Sequence, residues 1–272
     1  MIRTVVSGIC GRMGSMIGKS ISVAPGLSLV AGIERHGHDG VGFRLCDYWG
    51  EGSIEVPVGE SLDALRADQY DVLVDFSSPG QAVSCAEKAA RDGKGLVVGT
   101  TGLGDAELAA VRRAAETCPV VLAPNTSVGV NLLFCLARQA TEALGDEFDI
   151  EIVETHHRGK KDAPSGTAAR LAEIVARARG ARADDLLHAG RVGPDAVRRG
   201  GEIGVHSLRA GSIVGRHSVH FVGDLEEVTI SHEALSREAF ARGAVAAVRF
   251  VHGRSPGLYD MSDVLGLGDL RA

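Results

Sequence analysis

The sequence predicts an α/β chain in two parts: a doubly wound parallel sheet, then a second α+β domain with a mixed or antiparallel sheet. Three observations carry that expectation. The first 125 residues alternate short apolar runs with helix-patterned segments, the sign of a parallel sheet covered on both faces. Beyond them come one long amphipathic helix and runs with period-two alternation between glycine-containing turns. The chain has 272 residues, 44% hydrophobic and 24% charged, ordinary globular composition with length for one or two cores.

Taken in order, RTVVSG (3–8), LSLVAGIE (27–34), YDVLVDF (70–76), GLVVGT (95–100) and VVLAPN (120–125) read as buried strands, with helices over 80–92 and 105–117. A helix is expected over 127–144 and a strand over 148–155, then a helix over 165–179 that Gly180 ends as a left-handed cap. The Gly-, Arg- and Asp-rich stretch 180–202 reads as loop. EIGVHSLRAG, SIVGRHSVHFVG and LEEVTISHEA then form an antiparallel meander, and 236–253 is helix again. The middle run of the meander has one apolar face, which another subunit is expected to cover. Domain boundaries fall near residues 126 and 236.

Bulk properties exclude several classes of partner. A net charge of −6 argues against a nucleic-acid partner, which needs a basic footprint. No apolar run reaches the ~20 residues of a membrane span, and IRTVVSGICGRMG at the N-terminus lacks the parts of a secretion signal. A cytoplasmic protein is expected. Cys10, Cys46, Cys85, Cys118 and Cys135 are odd in number and never spaced as C-x-x-C, which fits neither a disulfide framework nor a zinc ribbon.

The turn after the first strand, VVSGICGRMGSMIG, places glycines at 8, 11 and 14, with Cys10 where the usual dinucleotide pattern has its second glycine. Glycines there let backbone approach a pyrophosphate held at a helix N-terminus, although a plain tight turn would use them too. Glu34 follows Gly14 by 20 residues, where an acid accepts hydrogen bonds from the adenosine ribose. Arg35 beside it suits a 2′-phosphate, and a solvated ion pair at the strand end is the plainer alternative. VGTTG (98–102) and APNTSVGVN (123–131) leave strands at the same sheet edge. Together these residues predict a Rossmann-like nicotinamide dinucleotide site.

The second constellation is ETHHRGKKDAPSGT, residues 154–167. Ser165 is placed to cap the following helix. Capping alone would explain SGT, but the amides of Ser165, Gly166 and Thr167 lie a few residues from His156, His157, Lys160 and Lys161. An amide nest with lysine suits a carboxylate or a phosphate, and histidine supplies a proton near neutral pH. The adjacent histidines diverge on an extended chain and no other ligand motif supports them, so no metal site is expected. A hydride donor in one domain and a proton donor with anion anchors in the other point to reduction of a C=O or C=N bond in an acidic small molecule.

GRMG, DFSSPG, VVGTTG, APNTSVGVN, ETHHRGKKDAPSGTA and LRAGSIVGRHSVHF, in this order, resemble the dihydrodipicolinate (4-hydroxy-tetrahydrodipicolinate) reductase family of lysine and diaminopimelate biosynthesis, over nearly the whole chain. The resemblance implies His156 as general acid and Lys160 as second proton donor or electrostatic partner. It implies that His157, Lys160, Ser165, Gly166 and Thr167 hold the two carboxylates of a dicarboxylate substrate. Gly8, Ile9, Cys10, Gly11, Arg12, Met13, Glu34, Arg35, Gly99, Thr100, Thr101, Ala123, Pro124, Asn125 and Thr126 would line the cofactor, NADH or NADPH. It further implies a discontinuous dinucleotide-binding domain, 1–126 with 236–272, a substrate-binding and oligomerisation domain, 127–235, and a homotetramer. Two rivals share the two-domain logic. A semialdehyde dehydrogenase would need Cys135 as nucleophile, although its helix neighbours Leu132, Leu133 and Leu136 favour packing; a non-enzymatic dinucleotide sensor would leave His156 and Lys160 idle.

Overall fold

The computed structural model describes residues 1–50 and 54–268. It divides into two units, Met1–Val128 with Glu238–Gly266, and Gly129–Arg237 with Leu267 and Gly268. Residues 269–272, which the expected dinucleotide domain included, lie outside the described residues.

In the first unit the chain runs β1 (Ile2–Ser7), α1 (Arg12–Val23), β2 (Leu27–Ile33), α2 (Leu45–Trp49), β3 (Val58–Gly59), β4 (Val72–Asp75), α3 (Pro79–Asp92), β5 (Gly95–Val98), α4 (Asp105–Ala114) and β6 (Pro119–Leu122). Seven strands, all paired in parallel, form one sheet whose edge strand β12 (Gly257–Tyr259) joins β6 from far along the chain; the order is β12-β6-β5-β4-β1-β2-β3. Successive strand residues face opposite sides, and the core divides accordingly. Val6, Val72, Val74, Val97 and Val121 pack with Ile17 and Ile21 of α1 and with Ala244, Val248 and Val251 of α8 (Glu238–Val251). Val5, Leu73, Leu96, Val98 and Val120 pack on the other face with Ala82, Ala86 and Ala89 of α3 and Val111 and Ala114 of α4. Each buried valine, leucine or isoleucine among them stabilises the fold by ~1.5–3 kcal/mol. The chain winds in opposite senses from β1, which puts the switch point between β1 and β4, where open sheets of this kind bind ligands at their C-terminal edge.

The second unit holds α5 (Val128–Leu144, from Gly129 on), β7 (Asp149–His156), α6 (Gly166–Ala178), α7 (Ala183–Leu186), β8 (Leu187–Ala189), β9 (Ile203–Arg209), β10 (Gly215–Val222) and β11 (Glu227–Ala234). After α8 and β12 the chain ends its described elements with α9 (Met261–Leu265). The five-stranded sheet has the order β11-β10-β7-β9-β8. Its inner face, Ile150 and Ile152 of β7, Ile203 and Val205 of β9, and Val219 and Phe221 of β10, packs on Leu133, Phe134 and Ala137 of α5 and Leu171 and Val175 of α6. Ser165 caps α6, its Oγ accepting from the Ala168 amide at 3.2 Å, and Gly180, at φ +70, follows its C-terminus in the left-handed conformation.

Three expectations are revised. The meander is broken: β10 and β11 form an antiparallel pair, but β10 also pairs antiparallel with β7, and β9 pairs parallel with β7 and β8. The stretch 180–202 is not all loop, since it carries α7 and β8. Arg191, which bonds Glu151 at 2.7 Å and also pairs with Glu202, together with Arg198, ties its polar sequence to the sheet. Finally, the apolar face of β10 is covered by the chain's own helices; Arg216, Ser218, His220 and Val222 are the side that faces out.

Candidate active site

In the first unit the glycine turn lies at the switch point. Gly8 has φ +76, and a Cβ there would stand 2.5 Å from the Phe76 carbonyl oxygen. At Gly14 a Cβ would come within 1.9 Å of the Gly8 oxygen, so only glycine lets α1 start this close to β1. Gly11 is the N-cap of α1 and brings no side chain to close it, nor is there an acidic residue in the first turn. These features suit a diphosphate against the helix N-terminus. Glu34, just past β2, reaches across: its Oε2 accepts from the Cys10 amide and its Oε1 from the Arg35 amide, both at 3.1 Å. That fixes a carboxylate beside the turn where a ribose would lie, with Arg12 and Arg35 exposed and Met13 half-buried nearby in sequence. Burial, and then the Glu34 charge, push the Cys10 thiol up to about 11.

The other cofactor-lining candidates divide. Gly99 lies against the Phe76 ring, which a Cβ would meet at 2.1 Å, and Thr101 and Pro124 are exposed. Four side chains are committed inward. Ile9 is fully buried in the core. Thr100 donates to the buried Asp75 at 2.5 Å and accepts from the Ser77 amide at 2.8 Å. Thr126 donates to the Phe240 carbonyl at 2.7 Å, and Ala123 is buried. Asn125 Oδ1 accepts from the Ser127 amide at 3.0 Å. These contacts hold the loops that leave β5 and β6. Asp75, which sequence reading missed, is the buried acceptor that ties the ends of β4 and β5 together through Ser77 and Thr100.

In the second unit β7 carries a buried carboxylate and imidazole. Its inward positions are Ile150, Ile152, Glu154 and His156, the last two polar where the apolar core gives out. Glu154 is 0% exposed. It accepts from both Arg209 nitrogens at 2.9 and 2.8 Å, from the Ser165 amide at 3.1 Å, and pairs with His156 Nδ1. Burial disfavours its charge, but the bonds from Arg209, Ser207 and His156 outweigh that and hold the carboxyl at about 2. His156, also buried, has its pKa lowered by desolvation and by Lys160 and Arg209, against the opposing pull of Glu154. His217 crosses its ring at 5.1 Å and 73°, and its Nε2 lies 3.1 Å from Ser165 Oγ.

Lys160 stands near this pair, held by Asp162 at 2.9 Å, and its amide bonds the His157 carbonyl at 3.1 Å. His157 is half-buried and Gly166 exposed at the first position of α6. Ser165 requires a correction: its amide is spent on Glu154 and its hydroxyl on capping and on His217, so it braces the site and presents no open amide to a substrate. Gly166 and the Thr167 position remain at the mouth of the helix. Glu154, Arg209 and His217 were not singled out from sequence. Glu154 had a readable signal, since positions two apart on a strand share a face.

Two family models match the chain: Dihydrodipicolinate reductase, N-terminus, over residues 2–126, and Dihydrodipicolinate reductase, C-terminus, over residues 129–265. The chain belongs to the dihydrodipicolinate reductase family. Relatives named 4-hydroxy-tetrahydrodipicolinate reductase from Myxococcus xanthus and Alkalilimnicola ehrlichii are each 46% identical to it, over 98% and 97% of this chain and 98% and 99% of theirs. A solved dipicolinate-bound dihydrodipicolinate reductase from Paenisporosarcina sp. TG-14 is 26% identical, with a TM-score of 0.77 over 97% of this chain and 98% of that one. Aspartate semialdehyde dehydrogenase II from Vibrio cholerae, at 11% identity and a TM-score of 0.54 over 92% of this chain and 98% of that one, shares the fold alone. The rival reading built on Cys135 has no footing in this reductase: the thiol is 4% exposed and turned to the Leu267 carbonyl at 3.3 Å. Among the described residues, no helix is long and apolar enough to cross a membrane.

Proposed function

We propose that this reductase uses NADH or NADPH to reduce 4-hydroxy-tetrahydrodipicolinate to tetrahydrodipicolinate, with His156 as the proton donor. The observation that carries the assignment of His156 is its buried pairing with Glu154 at the N-terminus of α6, beside Lys160. The glycine turn at residues 8–14 would take the diphosphate and Glu34 the adenosine ribose. When bound, the nicotinamide supplies the hydride. The hydroxyl leaves as water with one hydrogen from the ring, and one hydride and one proton reduce the unsaturated ring that results. Glu154 fixes the His156 tautomer by accepting from Nδ1–H, so that Nε2 faces the substrate and passes its proton to the electron pair that hydride transfer displaces. Lys160, with Gly166 and Thr167 at the helix N-terminus, offsets the charge of the substrate carboxylates. His157 is assigned to the same anion site.

Arg209 and Lys160 crowd positive charge around His156 and make its imidazolium a readier donor. The test is His156→Ala, assayed by NAD(P)H consumption with substrate generated from pyruvate and aspartate semialdehyde. Removing a positioned acid costs ~10²–10⁴ in kcat and leaves cofactor affinity unchanged. A folded variant with near-parental kcat passes the role to Lys160.

The enzyme works in the cytoplasm as a homotetramer. The outer face of the five-stranded sheet, with Leu208 52% and Val222 39% exposed among charged and hydroxyl side chains, supports assembly there. Light scattering that finds a stable monomer at micromolar concentration removes that assembly.

A further inference from the structure

Cys10, Glu34 and His38 place a thiol sulfur, a carboxylate oxygen and an imidazole nitrogen within 4.8 Å of one another, the one such cluster among the described residues. We propose that these three side chains bind a thiophilic divalent cation of the zinc class, and that a cation held there excludes the dinucleotide.

The donor set decides the class of ion. Thiolate with imidazole and carboxylate suits zinc and its neighbours, whereas magnesium and calcium take oxygen ligands. Thiolate and carboxylate together balance the charge of a divalent ion, which matters in a half-buried site. The three residues come from the turn after β1, the end of β2 and the loop beyond it, so no spacing in the sequence revealed them.

The surroundings hold the ligands close without closing the site. A Cβ at Gly40 would stand 2.6 Å from the Cys10 sulfur and 3.1 Å from the Tyr48 ring, so glycine there is what lets the thiol lie against the loop. The Gly40 amide donates to His38 Nδ1 at 3.0 Å, and the His38 ring meets Tyr48 edge-on at 6.0 Å. The Cys10 and Arg35 amides each give Glu34 one hydrogen bond, at 3.1 Å, and a carboxylate keeps further lone pairs for an ion. Zinc bonds of about 2.0–2.3 Å bring ligand atoms to roughly 3.5 Å apart, so atoms within 4.8 Å of one another need only a small contraction. Gly37 and Gly42, both at positive φ with open space around them, leave the loop free to do so. On binding, the thiol proton leaves to solvent and its sulfur bonds the metal. Binding at His38 Nδ1 displaces the Gly40 amide, and binding at Nε2 moves the ring proton to Nδ1; either way that one hydrogen bond is given up.

Exclusion of the dinucleotide rests on the reading that Glu34 accepts the ribose hydroxyls, since one carboxylate cannot serve both. Cobalt(II), titrated into tag-free protein, separates the two claims. A saturable thiolate-to-cobalt charge-transfer absorption is expected in the parent, none in Cys10→Ser, and roughly ten-fold or more weaker cobalt binding in His38→Gln. Zinc should then weaken NADH binding in the parent by calorimetry, roughly ten-fold or more, and much less in His38→Gln, whose metal-free NADH affinity stays parental. No such absorption in the parent, or one that survives in Cys10→Ser, overturns the cation site whatever NADH does. A Cys10-dependent absorption with unchanged NADH affinity overturns the exclusion and takes Glu34 out of the cofactor site.

Discussion

Exchanging Glu154 for glutamine removes one charge from beneath His156 with little change of shape, and so isolates what that charge does. Glu154 is wholly buried, and its carboxylate meets His156 Nδ1 directly. A unit charge about 4 Å from an imidazolium is worth ~4 kcal/mol at an effective dielectric of ~20. Arg209 bonds both carboxylate oxygens and takes roughly half of that field, leaving ~2 kcal/mol, about a 30-fold change in the protonated fraction of His156. Losing the Nδ1 anchor misorients the ring for roughly another ten-fold. The expected outcome is kcat down by ~10²–10³ with KM nearly constant. Burial, Lys160 and Arg209 push the His156 pKa down and Glu154 pulls it up, so the variant's pKa falls further. A proton donor works only while protonated; activity is therefore lost as pH rises through this pKa, and in Glu154→Gln the loss begins at lower pH. Steady-state kcat against pH reads both effects, with thermal melting to confirm the fold. Glutamine also removes the carboxylate partner of Arg209, which keeps its bonds to the Leu208 and Asp162 carbonyls, so Glu154→Asp is measured alongside; it keeps the charge and should keep the pH profile. A Glu154→Gln kcat within about three-fold of the parent, with the profile unmoved, would refute this account of His156.

Arg35→Ala should weaken NADPH by ~1–3 kcal/mol and NADH by much less, since only the former carries the 2′-phosphate; equal losses by calorimetry remove Arg35 as its ligand. His217, 4% exposed, has its pKa lowered from 6.5 to about 4, first by burial and then by His156. The folded state thus binds fewer protons than the unfolded one between those values. Its contribution to stability is complete above pH 6.5 and lost as pH falls toward about 4, roughly 3 kcal/mol in all. Urea unfolding of His217→Gln should show a flatter pH dependence in that window, and an unchanged slope would reject the burial argument.

The first sheet was largely legible because five buried strands alternate with amphipathic helices over 125 residues. The two edge strands were not: β3 has two residues and β12 three, too short for any periodicity. Adjacent strands usually pair, which is why the last three runs read as a meander. The long connection from His156 to Ile203 instead lets β9 enter on the far side of β7 from β10. In the site, His156 and Lys160 stood out because they are close in sequence, but Arg209 lies 55 positions from Glu154 and His217 lies 52 from Ser165. Only the register of β7 with β9 and β10 brings them together. Composition also cannot tell which way a hydroxyl turns, and Thr100, Thr126 and Ser165 all turn inward.

The late arrival of α8 and β12 sets an order on the making of this protein. When Val128 leaves the ribosome, β6 is still open on its outer side, and Val74, Val97 and Val121 lack α8, which covers them in the finished fold. At ~5–20 residues per second, the roughly hundred-residue second unit keeps that surface waiting for seconds. The second sheet, by contrast, is complete once β11 has emerged. The nascent chain therefore carries a finished rear half and a front half with an open apolar face and an open strand edge, the combination that aggregates most readily. Chaperone demand for this enzyme should fall on its first unit, and should end only when α8 and β12 have been made.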